Sequence, residues 1–218
     1  MPITVNQSQV HGEVDLRDAD VTTSTGQSVL VSNMVIAGAI AGADAVTVTY
    51  ETFEDTHVLE ILRALGGDVD VNDGESEVVV RNTRLTGTEI DVGEVPELFP
   101  GVAVLTTVAD GSSRIENCRD LRARNPDWVA TMATALDRLG SNVEEETNSL
   151  TIHGGGESIL KGTTVTSNGE PHIAMALTLA GMIAFDTTEI DGADAATEMF
   201  PKYFEYLSTI GADITVGP

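Results

Sequence analysis

The sequence predicts a single α/β domain made of three similar units. A Leu-Gly or Ile-Gly pair ends a helical pattern at intervals of about 70 residues, at 65–66, 139–140 and 210–211, and a strand pattern follows each pair. Strands and helices alternate throughout, which is typical of sheets covered by helices. Each unit also has one helix poor in charge, expected inside the domain, and one amphipathic helix, expected outside.

The chain opens with two strand patterns, at 1–5 and 10–14, before the helices of the first unit begin. In that unit, apolar periodicity predicts two helices and three strands. They are an inner helix over 28–41, a strand over 45–50, an outer helix over 55–65, and strands over 68–71 and 77–80.

The second unit has clear start and stop signals. Gly111 is expected to stop its inner helix, and Pro126, at a first helical turn, is expected with Asp127 to open its outer helix. The predicted elements are an inner helix over 97–108, a strand over 114–116, an outer helix over 126–140, and strands over 142–146 and 150–152.

The third unit holds the most apolar helix and most of the aromatic residues. Its predicted elements are a helix over 170–184, a strand over 188–190, a helix over 196–210 and a strand over 213–216. The aromatic residues are expected in the core or at an interface rather than in a ligand box; they are Phe200, Tyr203, Phe204 and Tyr206. The predicted division is one domain over 1–218, with amino-terminal strands over 1–15 and repeats over 16–86, 87–160 and 161–218.

The chain is strongly acidic. It carries 35 acidic against 11 basic residues, a formal net charge of −24, and Lys161 and Lys202 are its only lysines. The acidic residues alternate with apolar periodic segments, so they indicate the surface of a folded domain rather than a disordered tail. Such a surface repels itself, and molar salt screens the repulsion by shortening the Debye length to about 3 Å. The pattern is typical of a halophile's protein, and it offers no basic patch to nucleic acid.

The cysteine and histidine positions and the apolar runs argue against several classes of protein and site. Cys118 is the single cysteine, which excludes an intrachain disulfide. No apolar run suits a membrane helix and no signal peptide is predicted, so we expect a soluble protein without a membrane partner. His153, before three glycines, is expected at a hairpin end, since no helix with Lys and Ser/Thr follows as in a phosphate loop. His11, His57 and His172 are scattered, and we expect no cofactor.

Three runs in the second unit resemble the carboxyl-terminal domain of the enolpyruvylshikimate-phosphate synthase (EPSP synthase) family. PELFP at 96–100 stands where the family has P-D-L-x-P, SRIEN at 113–117 where it has T-R-I-x-N, and LRARNPDW at 121–128 where it has L-R-x-K-E-x-D-R. The resemblance extends over essentially the whole chain. It implies an inside-out α/β prism, in which three units close around their inner helices.

Only one of the two domains of that family is represented. In the family, the chain leaves this domain after its first strands, builds the other domain and then returns. Here VTTSTGQSVLVSNMVIAGAIAG, at 21–42, already resembles the return point. The inserted domain is therefore expected to be missing.

The catalytic side chains of the family are mostly replaced. The resemblance implies binding of shikimate-3-phosphate and phosphoenolpyruvate by lysines and arginines at helix starts, with an Asp and a Glu as proton-transfer groups. Asn125 stands where the family has its proton-transfer Glu and cannot replace it, because an amide does not shuttle a proton at neutral pH. Trp128 offers no charge where the family has an arginine. We therefore predict no catalytic residue; the degenerate family positions are Glu97, Arg122, Arg124, Asn125, Asp127, Trp128, His172 and Glu198.

Acidic residues are predicted at the helix starts instead. Carboxylates there stabilise the helix dipole by about 0.3–1 kcal/mol each and would repel phosphate. Helix capping is the preferred interpretation, and a site for a hard cation is the alternative if these starts converge. The residues are Glu54, Asp55, Glu97, Asp127, Glu170 and Glu198.

The sequence thus leads to three functional hypotheses. The preferred one is a non-catalytic structural or interaction protein in a homo-oligomer or larger assembly with other protein subunits, in the cytoplasm or the virion of a halophilic archaeal system; phosphorylated substrates are not expected to bind. The first alternative is an EPSP synthase-like carboxyvinyl transferase of the shikimate pathway, or half of a two-chain enzyme. The second is a binding module for a cationic ligand or a metal.

The charge pattern predicts salt-dependent stability. The thermal unfolding midpoint is expected to rise as KCl increases from about 0.1 M to about 2 M, because screening weakens the repulsion between carboxylates. Circular dichroism at a series of KCl concentrations measures the shift. An unchanged midpoint across the series would contradict the prediction.

Overall fold

Three four-stranded sheets surround three inner helices in the computed structural model, which describes residues 1–17, 19 and 24–217. The strands are β1 (Ile3–Val5), β2 (Val10–Asp15), β3 (Gly42–Thr49), β4 (Asp68–Asn72), β5 (Glu77–Arg81), β6 (Glu89–Asp91), β7 (Asp110–Glu116), β8 (Asn142–Glu145), β9 (Ser149–Gly155), β10 (Thr164–Thr166), β11 (Thr188–Asp191) and β12 (Ile214–Val216). The helices are α1 (Ser24–Ala41), α2 (His57–Ala64), α3 (Phe99–Thr107), α4 (Arg119–Arg122), α5 (Trp128–Arg138), α6 (Pro171–Ile183), α7 (Asp194–Met199) and α8 (Tyr203–Thr209), and a 3-10 helix, Pro96–Leu98, precedes α3.

The three sheets share one plan, which confirms the predicted α/β class and its three βαβαββ units. Their strand orders are β2-β3-β5-β4, β6-β7-β9-β8 and β10-β11-β1-β12. In each sheet the first two strands are parallel and the other pairs are antiparallel. Parallel neighbours need a crossover, which an inner helix supplies in each unit.

The two opening strands belong to different sheets. Ile3 of β1 lies opposite Ile190 of β11 and Val216 of β12, so β1 completes the third sheet, whereas β2 begins the first. The third unit therefore takes its last strand from the other end of the chain. The predicted division of the chain at 15, 86 and 160 stays a prediction.

The inner helices α1, α3 and α6 pack against one another at the centre. Every residue of α3 is buried, and so is every residue of α6 from Ile173 to Ile183. Proline opens α6 at Pro171, where its fixed φ suits the first helical turn and its missing N–H is not needed. Helices apolar on all sides are stable only when surrounded, so the inner position follows from composition.

Glycine ends an outer helix in each unit, as predicted. Gly66, Gly140 and Gly211 have φ values of +85°, +93° and +108°, a left-handed conformation that favours glycine just past a helix end. The outer helix α2 buries only one side, through Val58 and Leu62 among others, and exposes Arg63.

The helix stop predicted at Gly111 and the helix start predicted at Pro126 are not found where they were expected. Gly111 does not stop the inner helix, because α3 already ends at Thr107 and Gly111 lies within β7 with a φ of +90°. Pro126 is not in the first helical turn. Asp127 is the N-cap, since its carboxylate accepts the backbone N–H of Ala130 at 3.0 Å, and α5 begins one residue later.

Two further predictions need correction. The single helix predicted over 196–210 is divided into α7 and α8, because Pro201 has no N–H to continue α7. His153 is not at a hairpin end: β9 continues to Gly155, paired with β7. The His153 ring contacts Ser112 Oγ at 2.8 Å and Glu144 Oε1 at 3.1 Å across the sheet.

Among the described residues, no helix is both long and apolar enough to cross a bilayer. Of the predicted core or interface aromatics, Phe200, Tyr203 and Phe204 are buried, and Tyr206 is partly buried against the same core.

Close packing of α1 on its sheet predicts that Gly38→Ala is destabilising. A Cβ at Gly38 would lie 2.4 Å from Val80 Cγ1 and 3.0 Å from Val46 Cβ. Alanine gains about 1 kcal/mol of helix propensity, but overpacking of about 1–3 kcal/mol outweighs that gain. Urea unfolding in molar salt measures the change.

Gly74→Ala is the matched control, since its nearest neighbour would be Asn72 Oδ1 at 3.6 Å. Equal stability of the two variants would show that α1 does not contact its sheet as described.

Candidate functional site

A chain of contacts links the starts of α2, α5 and α6 with Ser28 in α1 and with the 3-10 helix before α3, and we call the surface that these segments form the amino-end face. Ser28 Oγ in α1 accepts the backbone N–H of Asp55, just before α2, at 3.2 Å. The rings of Trp128, at the start of α5, and His172, at the start of α6, have centroids 4.9 Å apart. Helix amino termini carry partial positive charge, so this face suits anions unless its own side chains neutralise it.

Trp128 is a buried platform that joins two units. Its side chain is 2% exposed, and its ring packs on the ring of His172 at an interplanar angle of 37°. The guanidinium carbon of Arg124 lies 4.1 Å from the indole centroid, a cation–π contact. Three of the degenerate positions named from the sequence are thus brought together, although they come from different parts of the chain.

Glu170 holds His172 in a fixed orientation. Its carboxylate oxygen Oε1 accepts the backbone N–H of His172 at 3.2 Å and lies 2.9 Å from the ring Nδ1. Burial alone would raise the pKa of Glu170, but the hydrogen bonds from His172 and from Trp128 outweigh burial and lower it. The carboxylate is therefore ionised at neutral pH, and Nδ1 carries the proton that it accepts.

Asp55 and His57 repeat this arrangement at the start of α2. Asp55 Oδ1 lies 2.6 Å from His57 Nδ1 and accepts the His57 backbone N–H at 3.2 Å. The hydrogen bond to Asp55 raises the pKa of His57, whose side chain is 45% exposed. The sequence-based view of His57 and His172 as scattered missed this pair. The signal was present as a carboxylate two residues before a histidine at both helix starts.

Two of the arginines in this region are held by carboxylates. Arg122 donates to Glu145 Oε1 at 2.6 Å and its side chain is 19% exposed, so it braces the β8–β9 hairpin. Arg114 pairs with Glu116 at 3.1 Å and Glu146 at 2.8 Å. Neither guanidinium is free to bind a ligand.

Arg119 and Arg124 line an open cleft of about 490 Å³ beside the start of α3. Within the part of the chain that the structure describes, no carboxylate lies within 4 Å of either guanidinium. The backbone N–H of Arg119 donates to Asn148 Oδ1 at 3.1 Å, which fixes the first turn of α4. Pro96 forms another part of the wall, and Asp120 is the one acidic residue in the lining. The cleft is a locally cationic site on an acidic protein.

The other predicted site residues have varied positions. Glu97 lies in the 3-10 helix before α3, and Asn125 is exposed and joined to Pro126 by a cis peptide bond. Glu198 is not at a helix start, because α7 begins at Asp194 and Glu198 lies near its end.

The acidic residues at the helix starts serve mainly as caps. Asp127 and Glu170 accept backbone N–H groups of α5 and α6, and Glu54 and Asp55 precede α2 rather than lying in it. In residues 1–17, 19 and 24–217, no three His, Cys, Asp or Glu side chains are grouped so that they could hold a metal ion.

The N-cap role of Glu170 predicts a pH-dependent loss of stability in Glu170→Ala. At pH 7 the variant is expected to lose about 1 kcal/mol of unfolding free energy. The folded pKa of Glu170 lies below its reference value of 4.5, so the stabilisation is present above that pH and is lost as the pH falls through the folded pKa. Urea unfolding at pH 7 and at about pH 3 measures the difference.

Glu198→Ala serves as the control, since that exposed carboxylate caps no helix. Equal losses in the two variants, or a loss in Glu170→Ala that is the same at both pH values, would contradict the capping role.

Comparison with known proteins identifies the fold and the family. A family model described as EPSP synthase (3-phosphoshikimate 1-carboxyvinyltransferase) matches residues 3–207. An EPSP synthase structure from Acinetobacter baumannii superposes with a TM-score of 0.78 at 22% sequence identity, over 87% of this chain and 46% of that one. This likeness confirms the predicted fold.

Curated relatives carry the same name over part of their length. A 3-phosphoshikimate 1-carboxyvinyltransferase of Halorubrum lacusprofundi is 36% identical over 194 residues, covering 87% of this chain and 43% of the relative. One of Methanococcoides burtonii is 41% identical over 160 residues, covering 73% of this chain and 36% of the relative. The chain therefore spans less than half the length of these relatives.

These relatives overturn the preferred hypothesis from the sequence. The hypothesis of a non-catalytic structural protein of a virion is wrong, because the proteins that match at 36% and 41% identity are named as enzymes. The predicted resemblance is confirmed, and this chain belongs to the EPSP synthase (3-phosphoshikimate 1-carboxyvinyltransferase) family.

Proposed function

We propose that this domain supplies one side of the substrate cleft of an EPSP synthase-like 3-phosphoshikimate 1-carboxyvinyltransferase. A second domain, outside these 218 residues, supplies the other side. The observation that carries the proposal is the match to relatives of that name over 87% of this chain but 43% of the Halorubrum lacusprofundi protein. An enzyme made of two parts accounts both for the high coverage of this chain and for the low coverage of the relative.

The connection between β2 and α1 supports a second domain from elsewhere. β2 ends at Asp15 and α1 begins at Ser24, whereas the family resemblance places the other domain between these two elements. A stretch as short as 16–23 cannot form a domain, which needs roughly 40 residues or more to bury a core.

The amino-end face has the chemistry that an anionic substrate needs. Arg119 and Arg124 both line the same cleft, and a guanidinium group binds phosphate or carboxylate through paired hydrogen bonds. Arg124 is oriented by its contact with Trp128. In the proposed enzyme these two arginines hold an acidic group of the substrate, and the remaining cations come from the second domain.

This proposal reverses one expectation from the sequence. Phosphorylated substrates were not expected to bind, because carboxylates occupy the helix starts. Several of these carboxylates are bound to backbone N–H groups of their own helices, as Asp127 and Glu170 show. A cytoplasmic location accompanies the proposal, and association with copies of this chain stays a prediction.

Complementation tests the proposal. The 218-residue chain is mixed in molar salt with the part of the Halorubrum lacusprofundi enzyme that it does not match, and 3-phosphoshikimate and phosphoenolpyruvate are added. We expect phosphate release from the mixture and from neither part alone. Calorimetry is expected to give a dissociation constant for 3-phosphoshikimate below about 1 mM, equivalent to about −4 kcal/mol.

Arg124→Gln provides the site-specific test of this binding. Loss of a hydrogen bond to a charged group costs about 1.5–3 kcal/mol, so affinity is expected to fall at least about 10-fold. Arg63→Gln, an exposed arginine at the far end of α2, should bind as the parent does. Absence of both binding and turnover in the mixture would refute the proposed function.

A further inference from the structure

A groove of about 210 Å³ lies between α5 of the second unit and the segment around β10 of the third. Among the described residues, those that line this groove are all different from those that line the cleft of Arg119 and Arg124. The volume of the groove is below the roughly 300–1,000 Å³ of sites for drug-sized ligands. The groove therefore suits a ligand about the size of one ring.

Part of the lining of the groove is apolar. Ala130 and Ala135 of α5 and Val165 of β10 contribute to it, and Ala135 and Val165 are almost fully buried. Because both α5 residues are alanines, they leave open the space that larger side chains would fill. An apolar ring that leaves water for this space is stabilised by burial against the three side chains.

Arg138 gives the groove its charge. Of the described residues that line the groove, Arg138 alone is ionisable, although the chain has 35 acidic residues. It lies in the last turn of α5 and its side chain is exposed. Within the part of the chain that the structure describes, the ion pairs of arginine side chains are formed by other arginines, and Arg138 has no carboxylate within 4 Å. Its guanidinium can therefore bind a carboxylate of a ligand through paired hydrogen bonds.

Hydrogen bonds hold the other end of the groove in place. Asn168 Nδ2 donates to Thr131 Oγ1 at 3.4 Å, which joins the third unit to α5. The backbone N–H of Asn168 donates to Thr166 Oγ1 at 3.1 Å. Thr131 precedes Arg138 by seven residues, which is about 10 Å along the helix. The groove thus has a cationic end, an apolar middle and a hydrogen-bonded polar end.

We propose that this groove is a binding site for a small amphipathic carboxylate. The carboxylate pairs with Arg138, and the apolar ring lies against Ala130, Ala135 and Val165. A ligand bound in this way contacts both α5 of the second unit and β10 of the third, so it bridges two of the three units. The site goes beyond the proposed function, because neither arginine of the cleft takes part in it.

A titration of the 218-residue chain in molar salt, followed by nuclear magnetic resonance of its methyl groups, tests the inference. The probe is benzoate, which joins one carboxylate to one apolar ring. We expect the methyl signals of Ala130, Ala135 and Val165 to shift with saturation. Benzyl alcohol lacks the carboxylate and is expected to bind at least about 5-fold more weakly. Shifts confined to other methyl groups, or equal affinities for the two compounds, overturn the inference.

Substitutions locate the binding of benzoate. Arg138→Gln is expected to weaken it at least about 5-fold, and Ala130→Leu, which fills the groove, is expected to abolish the shifts. Arg63→Gln is the matched control, because Arg63 is exposed in the last turn of α2 but does not line the groove. Arg124→Gln reports on binding in the cleft, and both of these variants should bind benzoate as the parent does. Parental affinity in Arg138→Gln or in Ala130→Leu overturns the inference, and so does an equal loss in Arg124→Gln and Arg138→Gln.

Discussion

Mutual burial of three apolar helices is the constraint on which the rest of the structure depends. α3 is buried along its whole length and α6 nearly so, which leaves neither helix a solvent-exposed side for charged residues. Charged groups then lie at the helix ends and on the outer helices and sheets. The same packing directs the amino termini of several helices to one face, and a binding site on this domain is most readily built there.

The amino-end face is less attractive to anions than its helix dipoles alone suggest. Asp127 and Glu170 each accept an N–H from their own helix, which offsets the positive end of that helix locally. Capping of this kind contributes about 0.5–2 kcal/mol per residue, so these carboxylates are explained by stability. The surplus of positive charge that remains is carried by Arg119 and Arg124, in the cleft beside α3.

Much of the fold could be predicted from local sequence, and the site could not. Gly66, Gly140 and Gly211 mark helix ends because the left-handed conformation is a local property of the backbone. By contrast, β1 pairs with β11 and β12 from the other end of the chain, and no local pattern specifies that partner. Pro201 is a local signal for the division of α7 from α8, because proline cannot donate the N–H that would continue α7.

The functional error from the sequence has a physical origin as well. The sequence presents each replaced side chain at a separate position and does not show which of these positions are in contact. Trp128 replaces a cation of the family, yet its ring supports Arg124 and packs on His172. The effects of side chains in contact are not independent, and only the structure reveals which of them touch.

The strand β1 also explains why a family that works with two domains can have a self-contained domain. Ile3 and Val5 of β1 are fully buried in the third sheet, and β1 packs against α6, so the core is closed by residues of this chain. In the proposed two-domain enzyme, the second domain then adds nothing to this core, and we expect it to form the other wall of the cleft that Arg119 and Arg124 line.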